Sequence, residues 1–390
     1  MRAVPHVTRI VTRLNVGGPA RHALILSREL EKRGFHAELV TGAEGTREGI
    51  LQPEGVSHTT VPTLKRAIDP FSDVRAALAL TRLLRVQQPD IVHTHMAKAG
   101  TLGRVAARRA GVPLVLHTFH GHVLDEYFSG PVSTLFAATE RYLSRHSDAL
   151  IAVSPSVRDF LVGLRIGKPS QWHVVPVGLD LRDLLDHTPP KEEARKRLGL
   201  PIDSQAVGIV GRLVPIKDHD TFLEAARRVA AGRPKVIFVV AGDGERRAGL
   251  ETRAREMLGD RIRFLGWVFD LPALYGALDV VALSSRNEGT PVALIEAGAA
   301  SKPVVATRVG GVPDVVRHPV TGMLVTAGDA DGMAKYLLQL LENQEQANAM
   351  GAAARVWVRS RFSSERLVQD MVQLYTELLA RRGLGLPGGC

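Results

Sequence analysis

The chain has 390 residues, of which 45% are hydrophobic and 23% charged. This excludes a disordered or collagen-like protein and favours two domains of roughly 100–200 residues each. The net charge is +10, and residues 1–180 hold 22 Lys and Arg against 15 Asp and Glu, which favours an anionic partner. A single cysteine, Cys390, excludes an internal disulfide, and no run approaches the ~20 apolar residues of a membrane span. The arginine-bearing N-terminus lacks the apolar core of a signal peptide, so we expect a cytoplasmic protein.

The anionic partner is predicted to be a phosphate group or an acidic lipid, with no nucleic acid. Aromatic residues make up only 5% of the chain, and they do not alternate with basic residues. Two basic clusters, Lys65-Arg66 and Arg104-x3-Arg108-Arg109, are candidates for a peripheral contact with an anionic membrane. Ordinary solvated helix faces would show the same pattern, so both interpretations stay open.

In the first half, short β-branched runs alternate with helical stretches, which predicts a parallel sheet built from βαβ units. The predicted strands are residues 4–11, 36–40, 90–95, 113–119 and 149–153. The turn after the first strand reads Asn15-Val-Gly-Gly18 and is followed by Pro19, which a first helical turn tolerates. Gly17 and Gly18 allow close approach of the backbone to a phosphate, although glycine turns also occur for steric reasons alone.

The alternation restarts after a strand predicted at 172–177 and a proline-containing stretch at 178–190, where we place the domain boundary. The second set of strands is predicted at 206–211, 236–242, 262–266, 279–284 and 303–307, with helices at 271–278, 292–300 and 365–381. This predicts an α/β fold of two Rossmann-like, doubly wound domains facing across a cleft, with ligands at the carboxyl ends of the strands. The predicted divisions are residues 1–180, residues 181–362, a final helix within 363–382 and a flexible tail at 383–390.

The segment Ser284–Glu296 is the most informative in the chain. Thr290 suits a helix N-cap and Pro291 the first helical position, so the N-terminus of this helix presents free N–H groups to an anion or to sugar hydroxyls. Glu288 precedes the helix, and Glu296 lies about 7.5 Å beyond Pro291 at ~1.5 Å per residue. The two carboxylates are therefore spaced for a ligand of the length of a nucleotide sugar. Apolar neighbours make a solvated helix face a poor explanation of Glu296.

Two cations follow a strand of the second half. Arg212 stands at the end of the strand and Lys217 in the next loop, an arrangement that suits a diphosphate and a departing nucleoside diphosphate. A salt-bridged loop is the alternative. The nearby Gly242-Asp-Gly244 lacks the third glycine of a dinucleotide fingerprint and is predicted to be a turn.

Histidines mark the ends of two strands in the first half. His117-Thr-Phe-His-Gly-His122 raises a metal hypothesis, with Asp125 and Glu126 close in sequence. Alternation along an extended segment separates such neighbours, so we predict no metal site but one histidine pointing into the cleft. His93-Thr-His95 is predicted to be a structural polar strand end.

Taken together, these residues resemble the GT4-type retaining glycosyltransferases of the GT-B fold. The resemblance covers nearly the whole chain in the expected order. It rests on Glu288-x7-Glu296, Gly211-Arg212 with Lys217-Asp218, Gly17-Gly18 and Thr118-Phe-His120-Gly121, with weaker matches at Val175-Pro-Val-Gly-Leu-Asp180, Gly242-Asp-Gly244 and Val309-Gly-Gly-Val-Pro-Asp314.

The resemblance implies an enzyme that moves a sugar from a nucleotide-diphosphate sugar to a glycan, lipid-linked or small-molecule hydroxyl, in cell-envelope or exopolysaccharide synthesis. It implies retention of anomeric configuration by front-face transfer, with no metal and no cofactor. The final helix would cross back to the first domain.

The resemblance also implies roles for individual residues. Arg212 and Lys217 would contact the diphosphate, Glu288 and His120 the transferred sugar, and Glu296 the ribose. The implied catalytic residues are His120, Arg212, Lys217 and Glu288. The implied donor-binding residues are Gly17, Gly18, Arg212, Lys217, Trp267, Val268, Glu288, Gly289, Thr290, Pro291, Val292 and Glu296.

Three alternatives remain at this point. A nucleotide-sugar 2-epimerase would share the two-domain shape but would need acid and base carboxylates in the cleft. A non-catalytic sugar-nucleotide-binding partner would bind the donor without transfer. A dinucleotide oxidoreductase lacks its glycine fingerprint here.

Overall fold

The computed structural model describes residues 4–14, 18–42, 51–67, 69–121 and 130–385. The strands are β1 (His6–Val11), β2 (His36–Gly42), β3 (Ser57–Val61), β4 (Ile91–His95), β5 (Leu114–Phe119), β6 (Ala149–Ala152), β7 (Trp172–Val174), β8 (Gln205–Val210), β9 (Val236–Ala241), β10 (Ile262–Gly266), β11 (Val280–Leu283), β12 (Val304–Thr307) and β13 (Met323–Val325).

The helices alternate with these strands along the chain. They are α1 (Gly18–Glu31), α2 (Pro70–Gln87), α3 (Ala97–Ala110), α4 (Gly130–Ser144), α5 (Pro155–Gly163), α6 (Arg182–Asp186), α7 (Lys191–Leu198), α8 (His219–Gly232), α9 (Arg247–Leu258), α10 (Leu271–Ala277), α11 (Val292–Ala299), α12 (Val312–Val315), α13 (Ala330–Glu342), α14 (Gln344–Phe362) and α15 (Ser364–Arg381). Short 3-10 turns occupy Pro169–Gln171, Pro215–Lys217 and Gly259–Arg261.

The chain divides into two compact units. Unit 1 is Met1–Leu179 with Ser364–Cys390, and unit 2 is Asp180–Ser363. Each unit holds one sheet whose paired strands all run parallel. The predicted α/β class with two Rossmann-like sheets is confirmed.

The sheet of unit 1 has the order β3-β2-β1-β4-β5-β6-β7 and is covered on both faces. Leu30 of α1 and Leu374 of α15 share one apolar cluster with strand residues such as Leu116, and Leu80 of α2 shares the opposite cluster with Val92. Burial on both faces explains why the strands read as near-continuous apolar runs. The final helix α15 is thus part of the core of unit 1.

The sheet of unit 2 has the order β10-β9-β8-β11-β12-β13. Phe222 of α8 and Leu337 of α13 pack with Val207 and Phe238 of the strands. In both sheets the strand order reverses once, between β1 and β4 in unit 1 and between β8 and β11 in unit 2. Ligands of doubly wound sheets bind outside the carboxyl ends of the strands at such reversals.

Three details differ from the predictions. The strand predicted at 172–177 ends at Val174, two residues before Pro176, which has no N–H to donate. The strands β3 and β13 were not predicted, because β3 is a polar edge strand with the sequence Ser57-His-Thr-Thr-Val61 and β13 is only three residues long. Arg104, expected in a basic surface cluster, is buried and forms a 2.6 Å ion pair with Glu140.

No helix in the described part of the chain is long and apolar enough to cross a bilayer.

Candidate active site

The loops that follow β8 and β11 bring two of the predicted site residues into direct contact. Lys217 Nζ lies 2.5 Å from Glu288 Oε1, and Ser285 Oγ donates a 2.6 Å hydrogen bond to the same oxygen. Glu288 is only 9% exposed, and Ser285 is fully buried. Since both contacts use Oε1 and no other described side chain binds this carboxylate, Oε2 remains for a ligand.

A tight turn after β12 supports the main chain of Glu288. The N–H of Gly311 donates a 3.0 Å hydrogen bond to the Glu288 carbonyl, and Thr307 Oγ1 donates one of 2.6 Å to the Ser285 carbonyl. Gly310 has a φ of +45°, and a Cβ on it would lie 1.9 Å from the Glu288 carbonyl oxygen. The turn therefore needs glycine at this position both for its backbone conformation and for the close approach.

Helix α11 starts immediately beyond this site. Pro291 occupies its N-cap position, and no side chain caps the helix. The prediction that Thr290 is the N-cap is wrong: Thr290 precedes the cap, and its hydroxyl is buried without a hydrogen-bond partner in the described part of the chain. A proline side chain accepts no hydrogen bond, so the first N–H groups of α11, from Val292 onward, have no capping side chain. These N–H groups suit an anion.

The second predicted acid, Glu296, lies within α11 and is 6% exposed. The hydroxyl of Tyr275 donates a 2.8 Å hydrogen bond to Glu296 Oε2. Tyr275 is completely buried in α10, so its hydroxyl fixes the carboxylate without adding charge. The loop between β10 and α10 contains Trp267, which is 44% exposed, and the adjacent Val268, which is partly exposed.

Arg212 is half-buried in the loop at the carboxyl end of β8. Neighbouring strand ends hold this loop, since the N–H of Gly211 donates to the Ala241 carbonyl at 2.9 Å and that of Leu213 to the Asp243 carbonyl at 2.9 Å. A Cβ on Gly242 would lie 2.0 Å from the Gly211 carbonyl oxygen. Gly242-Asp-Gly244 is therefore a packing turn beneath the Arg212 loop.

Histidines gather at the carboxyl end of the sheet of unit 1. His95 ends β4 and His120 follows β5, with His95 Nδ1 3.1 Å from His120 Nε2. The His22 ring of α1 lies 5.2 Å from that of His120 and 5.6 Å from that of His95, measured between centroids. Burial lowers the pKa of His120 to about 4, and burial together with the nearby basic groups lowers the pKa of His22 and His95 well below the ordinary value. These lowered pKa values favour the neutral form of the three rings at pH 7. His95 and His120 lie within hydrogen-bond distance of each other, whereas neither ring nitrogen of His22 has a hydrogen-bond partner in the described part of the chain. Gly18 begins α1 in the same unit, and Gly17 lies outside the described residues.

A buried network lies deeper in unit 1. Tyr375 Oη of α15 is 2.6 Å from His93 Nδ1 and accepts a 3.1 Å hydrogen bond from Arg9, whose other terminal nitrogen donates to Ser27 Oγ at 2.8 Å. His93 Nε2 is 2.7 Å from Thr118 Oγ1. The network ties α15 to β1, β4 and β5.

The structure separates the histidines of the metal hypothesis. His117 Nδ1 lies 2.8 Å from Thr94 Oγ1, and its ring packs against Gly100 of α3, on the face of the sheet opposite to α15. The described residues contain no group of three or more His, Cys, Asp or Glu arranged to hold a metal ion. The remaining members of the hypothesis, His122, Asp125 and Glu126, lie outside the described residues.

The side chains that hold the two predicted acids were not predicted from the sequence. Ser285 was visible as a polar residue at the end of an apolar strand, and Tyr275 as the one aromatic residue in α10. Neither feature predicts which residue Ser285 or Tyr275 contacts, because these contacts form only in the folded chain. His95 was interpreted as structural, and in the structure it contacts His120.

The sequence matches models of two families. Residues 190–357 match "Glycosyl transferases group 1", and residues 17–178 match "Glycosyl transferase 4-like domain". The chain is 30% identical over 357 residues to the UDP-Gal:alpha-D-GlcNAc-diphosphoundecaprenol alpha-1,3-galactosyltransferase of Escherichia coli, covering 90% of this chain and 92% of that protein. It is also 30% identical to the D-inositol 3-phosphate glycosyltransferase of Mycobacterium avium, over 95% of this chain and 92% of that protein.

Solved structures of the same architecture superpose along nearly the whole chain. The sucrose-phosphate synthase of Thermosynechococcus elongatus gives a TM-score of 0.84 at 23% identity, covering 97% of this chain and 100% of that one. Anabaena HepE in complex with UDP-glucose gives 0.79 at 20% identity, covering 95% and 99%. At these identities the likeness shows the fold, and the predicted GT-B fold is confirmed.

Proposed function

The chain belongs to the group 1, GT4-type glycosyltransferases, and we propose that it transfers a sugar from a UDP-sugar to a lipid-linked diphosphate-sugar acceptor with retention of configuration. The proposed setting is envelope or exopolysaccharide synthesis at the cytoplasmic face of a membrane. The single observation that carries the donor site is the contact of Lys217 and Ser285 with Glu288 beside the uncapped N-terminus of α11.

In the proposed donor complex, the diphosphate lies against Arg212, Lys217 and the first N–H groups of α11. Lys217 is shared between Glu288 and a phosphate oxygen, since an ammonium group has three donors. Glu288 Oε2 accepts hydrogen bonds from hydroxyls of the transferred sugar. This arrangement places cations and a helix N-terminus where negative charge grows as the phosphate leaves.

The nucleoside lies further along α11 in this proposal. Glu296, with Oε2 held by Tyr275, accepts hydrogen bonds from the ribose hydroxyls through its carboxylate. The base contacts the loop at Trp267 and Val268. The sugar contact of His120 and the diphosphate contact of Gly18 stay predictions, and Gly17 lies outside the described residues.

The proposed chemistry is a front-face exchange. The bond between the anomeric carbon and the phosphate oxygen breaks, and the acceptor oxygen forms its bond on the same face of the sugar. The acceptor's proton moves to the departing phosphate oxygen, so charge and protons balance without an added base. Arg212, Lys217 and α11 offset the phosphate charge, so we expect turnover without a metal ion.

The acceptor class rests on sequence likeness and on charge. The Escherichia coli relative is named for a GlcNAc-diphosphoundecaprenol acceptor, and this chain aligns with 92% of it. The surplus of basic residues in 1–180 suits a diphosphate lipid and an anionic membrane surface. We therefore propose a peripheral contact with the inner face of the membrane.

A donor screen tests the proposal. Purified protein is incubated with UDP-sugars and other nucleotide sugars and followed by thermal stabilisation, and the donors that stabilise it are then assayed with GlcNAc-diphospholipid. We expect a UDP-sugar to stabilise the protein and an α-linked product to form in the presence of EDTA. An inverted product would contradict retention, and epimerisation of the donor without acceptor would contradict transfer.

A further inference from the structure

The outward face of α2 in unit 1 has an unusual composition. Its exposed residues recur every three or four positions, so they form one continuous stripe along the helix. The members of this stripe, which we call the α2 stripe, are Pro70, Phe71, Val74, Arg75, Leu78, Arg82, Arg85 and Val86. None of them is acidic, and half of them are large apolar or aromatic side chains.

The apolar members of the α2 stripe are strongly exposed. Phe71 is 86% exposed, Val74 61%, Leu78 46% and Val86 82%. The opposite side of the helix already supplies the core, with Leu80 among the buried residues. A surface helix normally presents polar residues to water, and a contiguous exposed apolar patch marks an interaction site.

The charges on the stripe are of one sign. Arg75 and Arg82 form no ion pair with any residue in the described ranges, and Arg85 donates to the Arg109 carbonyl at 3.1 Å. The nearest acids are already engaged: Asp73 pairs with Lys98 at 2.6 Å, and Asp69 caps the helix at the Ser72 N–H.

The preceding loop extends the same positive surface. Lys65 and Arg66 are exposed just before α2, and they form no ion pair in the described part of the chain. A partner with complementary chemistry must therefore accept apolar side chains and supply negative charge along about 27 Å, the length of 18 residues at ~1.5 Å each.

We propose that the α2 stripe is the surface through which this protein lies on an anionic lipid bilayer. Phe71, Val74 and Leu78 enter the boundary between head groups and acyl chains, while Arg75 and Arg82 reach lipid phosphates with their long side chains. A helix parallel to the membrane with cations among its apolar residues has the pattern that interfacial helices use. This inference rests on the proposed function, because a lipid-linked acceptor is held in such a bilayer.

The α2 stripe is a better candidate for the membrane contact than the basic cluster Arg104-x3-Arg108-Arg109 that the sequence offered. Arg104 is buried against Glu140, which leaves only Arg108 and Arg109 of that cluster at the surface. Lys65-Arg66 remains, and it adjoins the start of α2.

The test uses the full chain and sedimentation with vesicles. Vesicles of phosphatidylcholine alone are compared with vesicles containing about one third phosphatidylglycerol. The variants are Phe71→Ser with Leu78→Ser, and Arg75→Gln with Arg82→Gln. The matched controls are Val356→Ser, at a 71% exposed apolar position of unit 2, and Arg33→Gln with Arg145→Gln, at exposed positions of unit 1.

The wild type should bind the anionic vesicles and not the neutral ones. Each α2 double variant should bind at least about tenfold more weakly, and the controls within about twofold of wild type. Anionic vesicles that bind wild type and both α2 variants equally would overturn the proposal. Concentration-dependent self-association that the Phe71→Ser, Leu78→Ser variant abolishes, without vesicle binding by the wild type, would overturn it by assigning the stripe to a second copy of the chain.

A second measurement, hydrolysis of the UDP-sugar in solution, separates failure of the α2 stripe proposal from failure of the proposed function. Slow hydrolysis of the UDP-sugar in solution needs no membrane, so the α2 variants should retain the wild-type rate. Absence of hydrolysis and of donor binding in the wild type would count against the proposed function, whereas vesicle binding would still decide the role of the α2 stripe.

Discussion

The carboxyl edges of the two sheets are built from opposite kinds of side chain. In unit 2, the strand reversal brings together Lys217 and Glu288, a charged pair that is mostly buried. In unit 1, the ends of β4 and β5 carry His95 and His120, whose lowered pKa values favour the neutral form at pH 7. The same topology thus provides one edge suited to charge and one edge suited to neutral hydrogen bonding.

The difference makes the two sheet edges suitable for different ligand groups. A diphosphate needs fixed cations and a helix N-terminus, and unit 2 supplies them at Lys217 and α11. Sugar hydroxyls need donors and acceptors without net charge, and neutral imidazoles supply both. Substitutions at each of the two sheet edges test this contrast.

Replacing the acid of the charged pair should have the largest effect. Glu288→Gln keeps the side-chain volume but removes the charge that Lys217 and Ser285 hold. We expect kcat/KM to fall about 10³-fold, as for loss of a transition-state contact, with the melting temperature little changed. Steady-state kinetics and thermal melts of the same preparations check this. Retention of more than a tenth of wild-type turnover would contradict the role of Glu288.

Adding a methyl group at Gly310, in the turn that contacts the main chain of Glu288, should have the next largest effect. Gly310→Ala places a Cβ where 1.9 Å separates it from the Glu288 carbonyl oxygen, so the turn must shift. We expect a loss of activity of about 10²-fold through displacement of Glu288. Gly249→Ala is the matched control, because a Cβ there meets no atom within 4 Å and the residue lies within α9. It should leave activity unchanged and stability equal or higher.

Removing the hydroxyl of Tyr275 should have a smaller and more selective effect. Tyr275→Phe deletes the 2.8 Å hydrogen bond to Glu296 without opening a cavity. Affinity for UDP should fall about tenfold. Affinity for 2′,3′-dideoxy-UDP should stay nearly constant, because this nucleotide lacks the ribose hydroxyls that Glu296 would bind. Calorimetric titrations of both nucleotides measure this. Tyr142→Phe, at an exposed tyrosine of unit 1, is the control, and an equal loss for the two nucleotides would refute the positioning role.

Replacing His120, at the carboxyl edge of the sheet of unit 1, should have the smallest effect, which is visible in the pH dependence of stability. The pKa of His120 is lowered to about 4 in the folded protein, so between pH 4 and 6.5 the unfolded chain binds more protons there than the folded one. Unfolding free energy therefore falls as pH drops through this window. His120→Gln should reduce that slope by less than one proton, about 1.4 kcal/mol per pH unit at most. Denaturant titrations at pH 7 and 5 measure it, and an unchanged slope would contradict the neutral assignment.

The sequence predicted the strands of both sheets where burial on two faces produces unbroken apolar runs, as in β1, β5 and β9. It could not predict β3, because an edge strand with a polar sequence has no such run. It also located Arg212, Lys217 and Glu288 in loops that follow strands and Glu296 in the next helix, since those positions follow from local patterns.

The contacts among these residues could not be predicted, because they depend on strand order. Lys217 and Glu288 are 71 residues apart, and Tyr275 and Glu296 are 21 apart, yet each pair touches. The N-cap at Thr290 was predicted from residue type alone and failed because Pro291 takes that position. Arg104 was predicted to be exposed for its charge, but the partner that allows its burial, Glu140, lies 36 residues away.

Calorimetric titration of the wild type and Lys217→Gln with UDP and with UMP tests most directly whether unit 2 seats the diphosphate. The wild type should bind UDP more tightly than UMP, because Lys217 and α11 bind the second phosphate. Lys217→Gln should lose most of that preference while binding UMP almost as well as the wild type. An unchanged preference in Lys217→Gln would contradict the assignment of the diphosphate to this edge of the sheet.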